Sequence, residues 1–208
     1  MPDGDLFRAI SDGGASVVTD EIATLTEGGI RLASGQELEA DVVVSATGLS
    51  MQLFGGATLG VDGREVSLPD TVVYKGMMLS GVPNMVFTIG YTNSSWTLKA
   101  DLVAQYVCRL LSHMDEHGYR WSGPVAADPA MPRRPLLDLS AGYVQRARAH
   151  LPANGDRAPW RLGMSYPRDL VALRYGKIDD GTLRFGGPAS GAGALAAPGS
   201  ATGLRAAG

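Results

Sequence analysis

Asp41-Val42-Val43-Val44-Ser45-Ala46-Thr47-Gly48 is an apolar run with no alternation, closed by a glycine. A strand with one wet face alternates apolar and polar residues. A continuous run predicts a strand buried on both faces, as in the parallel sheet of an α/β domain. Gly48 ends it where the backbone must turn tightly or approach another group closely. A second such run, Met85-Val86-Phe87-Thr88-Ile89, follows Pro83-Asn84 and ends at Gly90. A polar corner, Tyr91 to Ser95, then leads into the clearest helical pattern of the chain. Leu98, Leu102, Tyr106, Leu110 and Met114 fall at steps of four, and Val103, Val107 and Leu111 widen the stripe. The pattern predicts a helix from Trp96 to His117, roughly 30 Å long. Gly118 stops it, and its broad apolar face is to be buried against a sheet.

In front of the valine run, Asp5 to Ile10 reads as a short helix ended by Gly13 and Gly14, and Ala15 to Thr19 as a short strand. Ile22 to Thr26, Ile30 to Leu32 and Glu37 to Glu39 are separated by turns at Glu27-Gly28-Gly29 and Ala33-Ser34-Gly35. They predict a small, half-buried antiparallel meander. Between the two apolar runs a glycine-rich loop (Gly55, Gly56, Gly60, Gly63) leads to a strand at Thr71-Val72-Val73-Tyr74. Beyond residue 120, Pro124, Pro129, Pro132 and Pro135 break the pattern, and short helices are expected at Tyr143 to His150 and Arg168 to Tyr175. Residues 186–208 hold 7 Gly, 8 Ala and 2 Pro, too little apolar side chain to offset ordering entropy, and read as a disordered tail.

The 208 residues are 45 % hydrophobic, enough for a sizeable core, and carry 18 basic and 21 acidic residues. The lone cysteine, Cys108, excludes an intrachain disulfide and a cysteine-cluster metal site, and its mid-helix position predicts a buried, inert thiol. No run of 18 apolar residues is present, so no membrane span is expected. The start lacks the basic and apolar stretches of a secretory signal, and a reducing, cytoplasmic setting is expected. Residues 1–80 carry 12 acidic and 4 basic residues, whereas residues 129–175 carry 8 arginines and 3 acids. Within that basic stretch Trp160, Arg161, Tyr166, Arg168 and Arg174 mix rings and cations. The overall charge and the lack of any nucleic-acid motif argue against a nucleic-acid partner. The tract is read instead as a solvated face, a cover for the acidic front, or the border of a substrate entrance. His113 and His117 have the spacing of a metal pair but lack a third ligand and an HExxH arrangement, so no metal is assigned. Ser45, Ser50 and Ser80 stand in no nucleophile-elbow pattern, and no residue is assigned a catalytic role.

Two strands buried on both faces need neighbours on each side and helices over each face. One long helix is available, and no glycine-rich strand–turn–helix completes a mononucleotide-binding half. The chain is therefore expected to be the C-terminal part of a larger α/β enzyme.

The corner from Gly90 to Thr97 is the leading candidate site. A helix start offers free backbone N–H groups and a positive dipole end, suited to negative charge. Asn93, Ser94 and Ser95 can add hydrogen bonds and Trp96 a packing surface. The alternative is that Ser94 or Ser95 simply caps the helix. Thr47 and Gly48 are either a close-approach crossover or an ordinary strand-ending turn. Met51, Leu53 and Phe54 of the loop 50–58 face a substrate or fill the core. For Lys75 a structural role is expected.

The segments LFGGATLGVDG (53–63), YKGMMLSGVPNM (74–85) and GYTNSSWTLKADL (90–102), with PWRL (159–162) and GKIDDGTLRF (176–185), resemble the C-terminal part of the FAD- and NADP-dependent flavoprotein monooxygenases. The likeness is strongest to the Baeyer–Villiger type that includes the ethionamide-activating enzyme of mycobacteria. The resemblance implies an α/β chain that is an incomplete two-dinucleotide-binding (FAD/NAD(P)) flavoprotein fold with a small antiparallel meander. Residues 1–48 would end the NADP-binding domain, with Ala46-Thr47-Gly48 at the crossover, and 49–120 would be the C-terminal part of the FAD-binding domain. Residues 121–185 would form an extension packing on the core, followed by the tail 186–208. It further implies that Thr47, Gly48, Gly90, Asn93, Ser94, Ser95 and Trp96 border the cofactors, the flavin edge near N1 and the C2 carbonyl lying at the corner. FAD and NADP would serve the complete enzyme in NADPH- and O2-dependent oxygenation of a small-molecule ketone or sulfur compound. The sequence departs from the family in lacking both GxGxxG motifs and the phenylalanine–histidine–tryptophan signature between the domains. The arginine that steadies the oxygenated flavin in the family also lies upstream. The isolated chain is therefore expected to bind neither cofactor tightly and to be inactive. The alternative is a truncated or split-gene, non-catalytic fragment that needs an N-terminal partner.

Overall fold

The computed structural model describes residues 2–187, and the chain separates into two units that join in sequence at Thr47 and Gly48. In the first unit, helix α1 (Asp5–Ser11) is stopped where Gly13 takes φ +74°. Strands β1 (Ile22–Thr26), β2 (Gly29–Leu32) and β3 (Glu37–Glu39) form the antiparallel meander in that order, with Leu25 opposite Ile30 and Ile30 opposite Leu38. Gly29 is required there, because a Cβ at that position would lie 2.0 Å from the Leu38 carbonyl oxygen. Asp20 ties the entry to the meander, accepting from the backbone N–H of Glu21 (2.7 Å) and of Ser34 (3.2 Å).

Only Gly29 and Leu32 are buried among the described residues of this unit. Neither Ala15–Thr19 nor 41–47 forms a strand, and Val42 and Val44 are 79 % and 83 % exposed. The valine run meets the composition of a buried strand but has no strand edge to pair with. An unpaired strand has no hydrogen-bond ladder to hold it.

The second unit is organised around helix α2 (Trp96–Glu116), which ends at His117 before Gly118 at φ +67°. Its buried face is Leu102, Val103, Tyr106, Leu110 and Met114, joined by Lys99, whereas Leu98 is exposed. A short helix, here α4 (Tyr166–Asp169), continues as a π-helical turn, Leu170–Tyr175, and packs on α2. Arg109 of α2 donates to the carbonyls of Leu173 (2.9 Å) and Gly176 (2.5 Å), satisfying acceptors that the end of that turn leaves over.

Small antiparallel pairs surround this helical layer. Strands β4 (Gly60–Val61) and β5 (Arg64–Glu65) are joined through Asp62 and Gly63, both at positive φ. That is the Asp-Gly hairpin turn whose twist suits the flanking strands. Strands β6 (Val73–Tyr74) and β7 (Met78–Leu79) pair across Lys75 and Gly76, also at positive φ. Strand β8 (Trp121–Pro124) pairs with β11 (Leu183–Gly186), and β9 (Arg134–Pro135) with β10 (Ala153–Asn154). Helix α3 (Gly142–Ala147) and a 3-10 turn at Arg148–His150 lie between the last two.

The doubly buried strand exists, but at 72–79. Val72, Tyr74 and Met78 enter one core cluster with α2, while Val73 and Leu79 enter a second with Leu136, Leu151 and Leu162. Successive strand residues point to opposite faces, so this hairpin is the wall between two cores. Met85 to Ile89 alternates in the same way, Val86 against the first cluster and Met85, Phe87 and Ile89 against the second, yet forms no strand. Its Phe87 N–H donates to the Met77 carbonyl (2.9 Å).

All strand ladders among the described residues are antiparallel, and one isolated parallel bridge links Val72 to Ala153. The architecture is thus mixed α/β, helices with small antiparallel sheets, and the expected parallel sheet does not form. Gly186 closes β11 rather than opening a tail, and residues 188–208 of the expected tail lie outside the described residues. Cys108 is exposed, on the side of α2 away from its buried stripe. No described helix is long and apolar enough to cross a membrane.

One polar network stands in the first core. The Tyr74 hydroxyl donates to Asp180 Oδ2 (2.6 Å), Lys75 Nζ lies 3.1 Å from the same oxygen, and the Tyr74 and Tyr106 hydroxyls are 3.3 Å apart. Burial pushes the Asp180 carboxyl up, but the Tyr74 hydroxyl and the Lys75 charge outweigh it and hold the group below the ordinary carboxylate value. Burial first, then Tyr106 and Asp180, drive the Tyr74 hydroxyl far upward, so it stays a donor. A depressed folded-state value means that the unfolded chain binds the proton more readily. The stabilisation is complete above the ordinary carboxylate value, about pH 4, and is lost as pH falls through the depressed one. Urea midpoints taken from neutral pH down to about pH 3 should therefore fall less steeply in Asp180→Asn than in the wild type.

Candidate functional site

The corner that joins Met85–Ile89 to α2 is built on contact between Gly90 and Trp96. A Cβ on residue 90 would lie 2.2 Å from the Trp96 ring, so only glycine lets the indole fold back over this backbone. The indole is nevertheless 61 % exposed. Ser95 occupies the N-cap position without a side-chain capping hydrogen bond, and its Oγ sits 2.7 Å from Thr97 Oγ1 instead. No acidic residue stands in the first turn. Simple capping by a serine is therefore not what these residues do. Asn93, Ser94 and Ser95 form an exposed polar rim beside the uncapped first turn of α2, an arrangement that favours negative charge.

Beneath the corner lies a buried constellation that the apolar pattern did not reveal. Lys99, with a side chain 0 % exposed, donates to Asp169 Oδ2 at 2.8 Å and to the Gly163 carbonyl at 3.5 Å. The Tyr91 hydroxyl donates to the same Asp169 oxygen (2.8 Å), and Lys99 Nζ lies 5.4 Å from the Tyr91 ring centroid. Gly163 admits the carboxylate closely, since a Cβ there would be 2.0 Å from Asp169 Oδ1. Burial, then the bond to Asp169, pushes the Tyr91 hydroxyl well above its ordinary value, which keeps it protonated and donating. The constellation fixes the first turns of α2 to α4 and to the Gly163 backbone, and so holds the corner in place. The sequence signal was a single cation on the apolar stripe, three residues before Leu102. Its acid lies 70 positions away.

Of the other residues singled out, Thr47 closes the first unit and Gly48 opens the second. Both are exposed, with Gly48 at φ +90° and open space where a Cβ would stand. The loop 50–58 fills the core, the second of the two roles expected of it. Met51, Leu53 and Phe54 pack on the second core, and Met51 and Leu53 also line a cleft of about 430 Å³ with Tyr143, Arg146 and His150. Lys75 is structural, paired with Asp180 and seated over the Tyr74 and Tyr106 rings. His117 stacks on Tyr119, His113 meets Phe185 edge-on, and His117 Nδ1 lies 2.8 Å from the His113 carbonyl oxygen. No group of potential metal ligands occurs among the described residues.

No family model matches the chain. Curated relatives at 45–54 % identity are named as FAD-containing or FAD-binding monooxygenases, and this chain is homologous to a C-terminal part of them. The FAD-containing monooxygenase EthA of Mycobacterium tuberculosis (strain ATCC 25618 / H37Rv) is 54 % identical over 185 residues, covering 89 % of this chain and 38 % of the relative. EthA of Mycolicibacterium smegmatis is 54 % identical over 184 residues, 88 % of this chain and 37 % of its own length. The protein named "Probable FAD-binding monooxygenase AlmA" of Acinetobacter baylyi is 45 % identical over 186 residues, 89 % of this chain and 37 % of its own length. The chain thus spans under two fifths of the length of these relatives.

Three substitutions test the geometry. Gly90→Ala should expel the indole of Trp96 into water, seen as a red-shifted and more readily quenched tryptophan emission, while Trp121 and Trp160 stay buried. Lys99→Met strands the Asp169 carboxylate and should cost about 3–5 kcal/mol in urea unfolding. Adding Asp169→Asn removes the stranded charge and should recover most of that loss.

Proposed function

We propose that the chain is the C-terminal portion of an NADPH- and O2-dependent flavin monooxygenase of the Baeyer–Villiger type, acting on ketones or soft sulfur compounds in the cytoplasm. The corner from Gly90 to Trp96 carries the reading. It offers uncapped helix N–H groups, three exposed polar side chains and an indole held over a glycine backbone. These groups fit the electron-rich edge of a flavin ring. Asn93, Ser94 and Ser95 would donate to it, and Trp96 would pack beside it. Bound FAD would supply the redox chemistry, accepting a hydride from NADPH and activating oxygen. Thr47 and Gly48 would border the crossover to the NADP-binding part.

The two glycine-rich motifs that hold the dinucleotide phosphates in the proposed family are missing from the sequence, so turnover would need an upstream portion that carries both. One observation favours a second reading, in which the chain is a non-catalytic fragment awaiting such a partner. The first unit buries a single apolar side chain, Leu32, among its described residues, and leaves Val42 and Val44 open.

The chain joined to an upstream portion carrying both motifs should retain FAD. In that enzyme Asn93→Ala and Trp96→Leu should each weaken FAD retention by about tenfold and shift the flavin absorption bands. Unchanged affinity, spectrum and turnover in both variants would remove the corner from the flavin site.

A further inference from the structure

We propose that the second unit carries an anion site for a diphosphate-bearing compound, in a cleft lined by Arg134, Arg148, Arg161 and Arg168. The cleft encloses about 680 Å³, within the range of small-molecule sites. Its four guanidinium groups come from four places in the chain: β9, the turn after α3, the loop before residue 162, and α4. None of the four makes a hydrogen bond or ion pair among the described residues, whereas Arg157, Arg133, Arg109 and Arg146 are each engaged. Four free cations around one cavity repel one another unless an anion lies between them.

Two carboxylates also line the cleft. Asp169 is already neutralised by Lys99 and bonded by Tyr91, and Asp138 alone opposes the four arginines. Leu136, Leu137, Leu162 and Met164 supply an apolar lining. The site therefore fits a compact, multiply charged anion that can also carry a carbon body. A guanidinium offers a planar fork of donors that matches phosphate oxygens two at a time. Four such forks call for more than one phosphate.

The walls are tied before any ligand arrives. Asn154 sits opposite Arg134 in the β9–β10 ladder. Its Nδ2 donates to the carbonyls of Pro135 (3.0 Å) and Leu136 (2.9 Å), and its Oδ1 accepts from the Leu162 N–H (2.8 Å). The strand that bears Arg134 is thereby joined to the loop that bears Arg161. The Lys99–Asp169 pair holds the α4 wall. Walls fixed in advance lower the ordering cost of binding. The site does not depend on the flavin reading, and its test contains no flavin.

The test is calorimetric titration of the 208-residue chain with inorganic pyrophosphate and with ADP, at matched ionic strength in chloride. Saturable pyrophosphate binding is expected. The double variant Arg148→Gln/Arg161→Gln should weaken it by about tenfold or more. Arg157→Gln, whose guanidinium pairs with Asp128 outside the cleft, should leave it unchanged. All three arginines are exposed, and circular dichroism verifies that the variants keep their fold. Tighter binding of ADP than of pyrophosphate would show the carbon body reaching the apolar lining, and equal binding would show that the diphosphate alone is read; both support the site. The proposal is overturned by absence of saturable pyrophosphate binding, by equal loss in Arg157→Gln, or by a glutamate-rich peptide binding where pyrophosphate does not.

Discussion

The buried pair of Lys99 and Asp169 is the contact on which the second unit turns. Removing two charges from water is costly, and such a pair adds little net stability over apolar residues of the same size. What it adds is position. A single carboxylate oxygen collects both the ammonium of Lys99 and the hydroxyl of Tyr91 at 2.8 Å. The corner before α2, the first turns of α2, and α4, which lies 70 positions further on, are thereby fixed to one point. The exposed polar rim at 93–95 follows Tyr91 in the chain, and Asp169 itself lines the arginine-bearing cleft together with Thr92. Both candidate sites inherit their geometry from the same pair.

The local structure was legible wherever one segment satisfies its own hydrogen bonds. Helix α2 showed in the i+4 spacing from Leu102 to Met114, its end in Gly118, and the meander in its glycine turns. Hydrophobic patterning reports a demand for burial and not where burial is supplied. The valines at 42–44 read as a doubly buried strand and are exposed, because no strand edge is there to receive them. The wall between the two cores is the 72–79 hairpin, whose strands are only two residues long and carry a weaker signal. Cys108 followed apolar neighbours in sequence yet falls on the open side of its helix. Lys99 was hidden for the opposite reason. A lysine on an apolar stripe is explained only by its acid, and the spacing of a helix says nothing about a residue 70 positions away. Among the candidate site residues, the contact between Gly90 and Trp96 had no signal in the sequence, because it depends on a ring folding back over backbone six positions earlier.

The two units differ in self-sufficiency. The second has two packed cores and a tied polar network. The first is a meander with one buried apolar side chain among its described residues. Homology to monooxygenases of which the chain spans about 38 % gives a physical setting for that contrast. In the dinucleotide-binding fold proposed for the complete protein, strands would pair side by side, so that a portion of the sheet would leave an apolar run such as 42–44 without a partner. In this account the corner at 90–96 is formed in advance, while tight cofactor binding requires phosphate-holding glycines located elsewhere.

The most direct measurement is an FAD titration of the 208-residue chain, alone and mixed with an upstream portion that carries both glycine-rich motifs, made in saturating pyrophosphate so that the arginine-lined cleft is filled, and followed by flavin absorbance and fluorescence. The account predicts no tight, saturable binding by the chain alone and retained flavin in the mixture. Tight saturable binding by the chain alone would contradict it, since the corner would then hold FAD without the phosphate loops.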